Sequence, residues 1–196
     1  MRKVLMILLI LVAGLLVLIQ ARPNTYHVER SATVNAPADA IYSHVSDLHN
    51  WPGWSPWEKL DPAMKKDYAG DPGAIGSSYH WAGNDKVGEG RMTITKTEPG
   101  KLVGMDLEFI KPFAGKCQTA LAFSPDGAGT KVTWSLDGQN SFVAKAMELF
   151  GGNMDKMIGP DFEHGLAGLK SLVEASPAAA ATLGAAADSA AAKPAP

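Results

Sequence analysis

Apolar and polar positions follow different periods along this chain, and each change of period marks an element. The first stretch is an unbroken apolar run from Val4 to Ile19, preceded by Arg2 and Lys3. As a helix rising about 1.5 Å per residue, this run extends about 24 Å, short of a ~30 Å hydrocarbon core. Gln20, Ala21 and snorkelling by Arg2, Lys3 and Arg22 bring it to spanning length. From Thr25 to Asn35 the pattern becomes alternating, with Tyr26, Val28, Ala32 and Val34 on one side, which predicts a strand. Asn35 and Pro37 then introduce Ala40, Ile41, His44, Val45 and Leu48 at helical spacing.

Period two returns further on. A strand is expected around Ser77–Gly83, where Tyr79 and His80 face opposite ways. Met92 and Ile94 share a face, as do Val103, Met105, Leu107 and Phe109. Cys117, Thr119, Leu121 and Phe123 make the next such set, and Val132, Trp134 and Leu136 the last. Pro99-Gly100 and Asp126-Gly127 supply turns between them, so these strands read as an antiparallel meander with one buried face. Helical spacing then resumes at Val143, Ala146, Met147 and Phe150. Beyond Gly151-Gly152 it continues as a stripe of Met154, Met157, Ile158, Phe162, Leu166, Leu169, Leu172 and Val173, with Pro160 expected to kink it or to open its second half. A stripe this long has to be buried, and the concave face of the sheet is the one large apolar partner left for it.

Composition narrows what such a domain can do. Eighteen Lys and Arg against twenty Asp and Glu leave a formal net charge of −2, with no basic excess to hold nucleic acid. The single cysteine, Cys117, cannot form an internal disulfide and reads as a small buried hydrophobe. From Ser176 the chain is rich in Ala and Pro and carries almost no large apolar side chain, so residues 176–196 are expected to be a disordered tail. Residues 1–22 are read as an uncleaved anchor. Cleavage after Ala21 would need a small residue at Ile19 and would leave Arg22-Pro23 as the new terminus. Arg2 and Lys3 orient the domain, residues 23–175, toward the periplasmic or extracytoplasmic side.

Candidate chemistry is sparse. His27, His44, His49, His80 and His164 form no metal-ligand spacing, and no nucleophile elbow, phosphate loop or dinucleotide fingerprint is present, so neither a metal, a cofactor nor a catalytic residue is assigned. Asp161 and His164 could share a helix face, although acidic groups after Pro160 equally suit a helix start. An inward Tyr79 or His80 is the residue an enzyme would use as proton donor.

The stretches "VNAPADAIYSHVSDLHNWPGWSPW", "GEGRMTITKTEPG", "FSPDGAGTKVTWSLDG" and "MIGPDFEHGLAGLKSLVE" resemble the SRPBCC superfamily of START-like and polyketide cyclase/dehydrase domains, over about residues 25–175. The resemblance implies an α+β helix-grip fold: a helix pair after the first strand, then a curved antiparallel sheet wrapped around a long C-terminal helix, with an apolar cavity between sheet and helix. It does not fix an activity.

Within that frame, Trp51, Trp54 and Trp57 fall on a proline-stiffened loop at one end of the cavity, either lining it or plugging it. The expected lining is Trp51, Trp54, Trp57, His80, Met105, Phe109, Trp134, Met154 and Ile158, with Met92, Met147 and Met157 as further soft surface. The expected function is a membrane-tethered, non-catalytic module for a hydrophobic small molecule or lipid. The alternatives are a cyclase/dehydrase-type enzyme and a pocketless interaction module that presents the Trp loop.

Overall fold

The computed structural model describes residues 1–176, so all of the expected tail but Ser176 lies outside the described residues. Helix α1 covers Arg2–Gln20. Strand β1 (Thr25–Val34) leads into α2 (Ala38–Ser46), followed by two short 3-10 turns, Leu48–Gly53 and Trp57–Lys59. Strands β2 (Lys65–Ala69), β3 (Ser78–Ala82), β4 (Glu89–Glu98), β5 (Leu102–Lys111), β6 (Gly115–Asp126) and β7 (Gly129–Gln139) come next. Helices α3 (Phe142–Leu149) and α4 (Met154–Glu174) end the described chain.

The strands form one antiparallel sheet in the order β1-β7-β6-β5-β4-β3-β2, in which β1 returns to pair with the last strand. The alternation read from the sequence is the alternation of burial: Val103 and Met105, Cys117, Thr119, Leu121 and Phe123, and Val132, Trp134 and Leu136 all face the helix side. Burial pushes the Cys117 thiol up to about 11, so it stays a neutral, inert side chain.

Helix α4 lies along this inner face, parallel to β1, with Phe162, Leu166, Leu169 and Val173 buried. Its course is fixed by polar ties to β1. The Arg30 guanidinium donates to Asp155 and Glu163, each at 2.7 Å. Further along, Lys170 donates to the Thr33 carbonyl at 2.5 Å, and Glu174 accepts from the Asn35 N–H at 2.7 Å. Asn153 caps the helix by accepting from the Lys156 N–H at 2.8 Å. Pro160 sits on the exposed side within one continuous helix, where its missing N–H forgoes a single bond to the Lys156 carbonyl.

Glycines set how closely α4 approaches. A Cβ at Gly165 would lie 2.6 Å from the Trp134 ring, and one at Gly168 would lie 2.8 Å from the Trp54 carbonyl oxygen.

Three local expectations need correction. Strand β2 was not expected, because Lys65, Lys66 and Asp67 hide it; charged side chains are what an edge strand carries to discourage further pairing. The helix pair is one α-helix followed by the 3-10 turn Leu48–Gly53, which admits Pro52 where an α-helix would not. Helix α3 is inverted: Phe142, Val143 and Met147, with Phe150 just past its end, are exposed, whereas Lys145 is 5% exposed.

Candidate functional site

The tryptophan segment is held by the end of α2. A helix leaves its last carbonyls without backbone donors. Here the Trp51 indole N–H donates to the Val45 carbonyl at 2.9 Å and the Trp54 indole to His44 at 3.2 Å, while the Asn50 side chain donates to Ser43 at 3.0 Å. The indoles therefore cap a helix while their rings turn inward. Trp51 and Trp54 lie 4.6 Å apart, and Trp51, Trp54 and Trp57 each meet Trp134 edge-on at 5.9, 5.3 and 5.7 Å. Trp134 in turn stacks on Phe162 of α4 at 4.2 Å, with an interplanar angle of 6°. Its N–H reaches Thr119 Oγ1 at 2.9 Å, and that hydroxyl donates to the Ser135 carbonyl. Rings locked at both edge and N–H cannot collapse into the space beside them.

That space is a cavity of about 400 Å³ between the sheet and the first half of α4. Trp51, Trp57, Trp134 and Phe162 close its inner end; Tyr79, Trp81, Met92, Leu107, Phe109 and Leu136 form the sheet wall; Met157, Ile158 and Asp161 form the helix wall; Lys86 and Val87 stand at the β3–β4 turn. Its surface is predominantly apolar. A larger hollow, about 900 Å³, lies on the outer face of the sheet, and its lining is mixed, with His27, Arg91, Asp106, Glu108, Gln118 and Asp137 beside Tyr26, Leu107 and Cys117.

The polar groups in the cavity are few, and the most buried of them are engaged. Glu58, almost fully buried, accepts from the Tyr79 hydroxyl at 2.8 Å on one oxygen and from the Lys66 ammonium on the other. Burial, reinforced by Glu58, raises the Tyr79 phenol far above its ordinary range, so it remains a neutral hydrogen-bond donor. Asp161 faces the cavity, and no ion pair joins it to His164. Among the described residues, no three His, Cys, Asp or Glu side chains converge as a metal site requires.

Of the residues expected to line the cavity, Trp51, Trp57, Phe109, Trp134 and Ile158 do so. Trp54 does not: it is fully buried behind Trp51, beneath Gly168 of α4. Met105 is likewise sealed in the core, and Met154, in the first turn of α4, packs against core side chains. His80 points to the outer face, 3.6 Å from Asp67 and 3.5 Å from Glu89, because Tyr79 takes the inward position. Met147 lies outside, on α3. Trp81, Leu107 and Phe162, together with Glu58, are among the lining residues that the sequence did not single out for the cavity. Period two places Trp81 beside Tyr79 and Leu107 beside Phe109, so the first two were signalled; a lone carboxylate after Trp57 was not.

Residues 25–174 match the family model described as polyketide cyclase / dehydrase and lipid transport. Among solved structures, the chain resembles protein CV1439 from Chromobacterium violaceum at 15% identity and a TM-score of 0.56, covering 79% of this chain and 100% of that one. It also resembles MLL2253 from Mesorhizobium loti at 18% identity and a TM-score of 0.54, covering 76% and 97%. A third similarity is to the di-domain ARO/CYC StfQ from the steffimycin biosynthetic pathway, at 12% identity and a TM-score of 0.55, over 78% of this chain and 50% of that one. No curated protein matches. Identities this low carry the fold alone, whereas the family match spans nearly the whole sheet-and-helix domain. The chain belongs to the polyketide cyclase/dehydrase and lipid-transport family, as a helix-grip domain preceded by an apolar N-terminal helix.

Proposed function

We propose that this protein is a membrane-tethered binding module that holds a hydrophobic small molecule or single-chain lipid in the cavity between its sheet and α4. The observation that carries this reading is the cavity itself: apolar, walled by locked aromatic rings, and about 400 Å³ in volume. That volume sits near the small end of the ~300–1,000 Å³ typical of ligand pockets. It favours one acyl chain or a compact ring system over a whole diacyl phospholipid. Tyr79, Glu58 and Asp161 give a ligand's hydroxyl or amide group something to meet. The tether rests on α1, whose mean hydropathy of 2.7 and length of 19 residues suit a membrane span.

A catalytic reading would run through Glu58 and Tyr79. Against it, the carboxylate already accepts from both Tyr79 and Lys66, which suits a fixed polar anchor better than a general base that must take up a proton. Native mass spectrometry of the full chain released from detergent tests the binding reading. A co-purified apolar adduct is expected on the wild type and absent from Leu107→Trp, whose indole would fill the cavity. Wild-type protein that stays empty after incubation with fatty acids and polycyclic aromatics would overturn it.

A further inference from the structure

The sheet has two ends, and the register assigns the elements to them. The start of β1 lies beside the end of β7 (Thr25 opposite Gln139), and the end of β5 lies beside the starts of β6 and β4 (Phe109 opposite Gly115, Lys111 opposite Glu89). All of these share the end at which α1 joins the domain. The cavity lies in the same half, since Phe109, Val87 and Trp81 belong to strand ends and turns on that side. Helix α4 runs parallel to β1, so Met157 in its first turn belongs there as well.

Exposed apolar side chains gather at this end. Phe113, at the tip of the β5–β6 hairpin, is 84% exposed. Helix α3 turns Phe142, Val143, Met147 and Phe150 outward and buries Lys145. An amphipathic helix normally faces its domain with its apolar side. The inversion is built in rather than loose, because α3 is fastened to the segment that leaves α1. Lys145 donates to the Asn24 side chain; the Asn140 N–H donates to the Asn24 carbonyl at 2.7 Å; the Asn140 side chain reaches the Pro23 carbonyl at 3.2 Å and Glu148 at 3.0 Å. Helices α1 and α3 are in contact. Thus α3 is held against the foot of α1 by a hydrogen-bonded joint, with both helices exposing apolar side chains.

We infer that α3 and the Phe113 hairpin tip form a bilayer-docking surface that seats the cavity mouth on the lipid headgroups around α1. This rests on the membrane-tethered reading and adds an orientation to it: the domain is not a bead on a leash but lies mouth-down, so an apolar ligand passes between bilayer and cavity without crossing water. An interfacial helix carries its apolar side chains about 5–10 Å into the headgroup–acyl boundary, a depth that Val143 and Phe150 can reach only if α3 lies flat on the membrane.

The test uses the full chain with Cys117→Ala, reconstituted in phosphatidylcholine vesicles, carrying a single environment-sensitive nitrobenzoxadiazole label. Separate variants place the label at Phe113→Cys, Val143→Cys, Phe150→Cys and, as a control at the opposite end of the sheet, Ser124→Cys. Blue-shifted emission that lipid-borne quenchers reduce is expected at the first three positions, and water-like emission at the control. Alkaline carbonate extraction separates the two claims. A chain that resists extraction but shows water-like emission at Val143→Cys and Phe113→Cys overturns the docking surface and leaves the tether standing. A chain that carbonate releases overturns both. A blue shift that disappears as the lipid-to-protein ratio rises assigns the face to a second copy and also overturns the docking surface.

Discussion

The two halves of the sheet meet the same helix and differ in what fills the space between. Toward the Asp126–Gly129 turn, Val34, Ile41, Val45, Val103, Leu121, Val132, Leu169 and Val173 are sealed together, with α2 covering the sheet alongside the second half of α4. Toward α1, the wall is made of Tyr79, Trp81, Phe109 and Trp134, and a cavity remains. Branched aliphatic side chains interdigitate to interior density. Wide rings pinned by N–H bonds and by one another hold their positions and leave a void. The closed half therefore supplies stability, and the open half spends none of it on being filled.

The sharpest way to break that comparison is to open the closed half. Leu169→Ala should destabilise the domain by about 2–5 kcal/mol, the range for truncating a fully buried leucine, read as a lowered denaturant midpoint. Leu107→Ala, at the cavity wall, should have a far smaller effect because it enlarges a void already present. Equal losses at the two positions would erase the distinction.

Gly168→Ala comes next. Helix propensity alone favours alanine by about 1 kcal/mol. A methyl 2.8 Å from the Trp54 carbonyl forces backbone apart, so a net loss of about 1–3 kcal/mol is expected in thermal melts. A gain would mean that α4 rides higher on the Trp segment than described.

Acid should have a smaller effect, confined to the ties between α4 and β1. The Arg30 guanidinium holds the Asp155 carboxyl below its usual value, and the Asn35 N–H with Lys170 does the same for Glu174. A depressed folded-state value means that the stabilisation is present above the unfolded-state value, near pH 4, and is lost as the pH falls through the folded one. Melting temperature should accordingly drop below about pH 4, and Arg30→Met should flatten that drop while lowering stability at neutral pH.

The sequence showed the sheet and the α4 stripe well, because period two and period 3.6 are written by residues whose burial is unambiguous. What it misses at strand β2, Met105, Trp54, helix α3 and Glu58 has one cause: each needed knowledge of a neighbour. Strand β2 reads as a charged loop until β3 is beside it. Met105 and Trp54 are as apolar as Phe109 and Trp51, and only the position of the void separates them. Helix α3 carries the spacing of a core helix, and nothing in Val143–Phe150 reveals that its apolar side faces out. Glu58 reaches the cavity through a 3-10 turn whose direction is set by indoles capping α2, which no local pattern encodes.

The claim that the void of the open half takes up an apolar ligand is tested most directly by tryptophan quenching with a fatty acid brominated near its methyl end. Trp51, Trp57, Trp81 and Trp134 all line the cavity. Saturable quenching of most of the emission is predicted for the full chain in detergent, and its loss in Leu107→Trp. Quenching that is absent, or that rises linearly and equally in both proteins, would contradict the account.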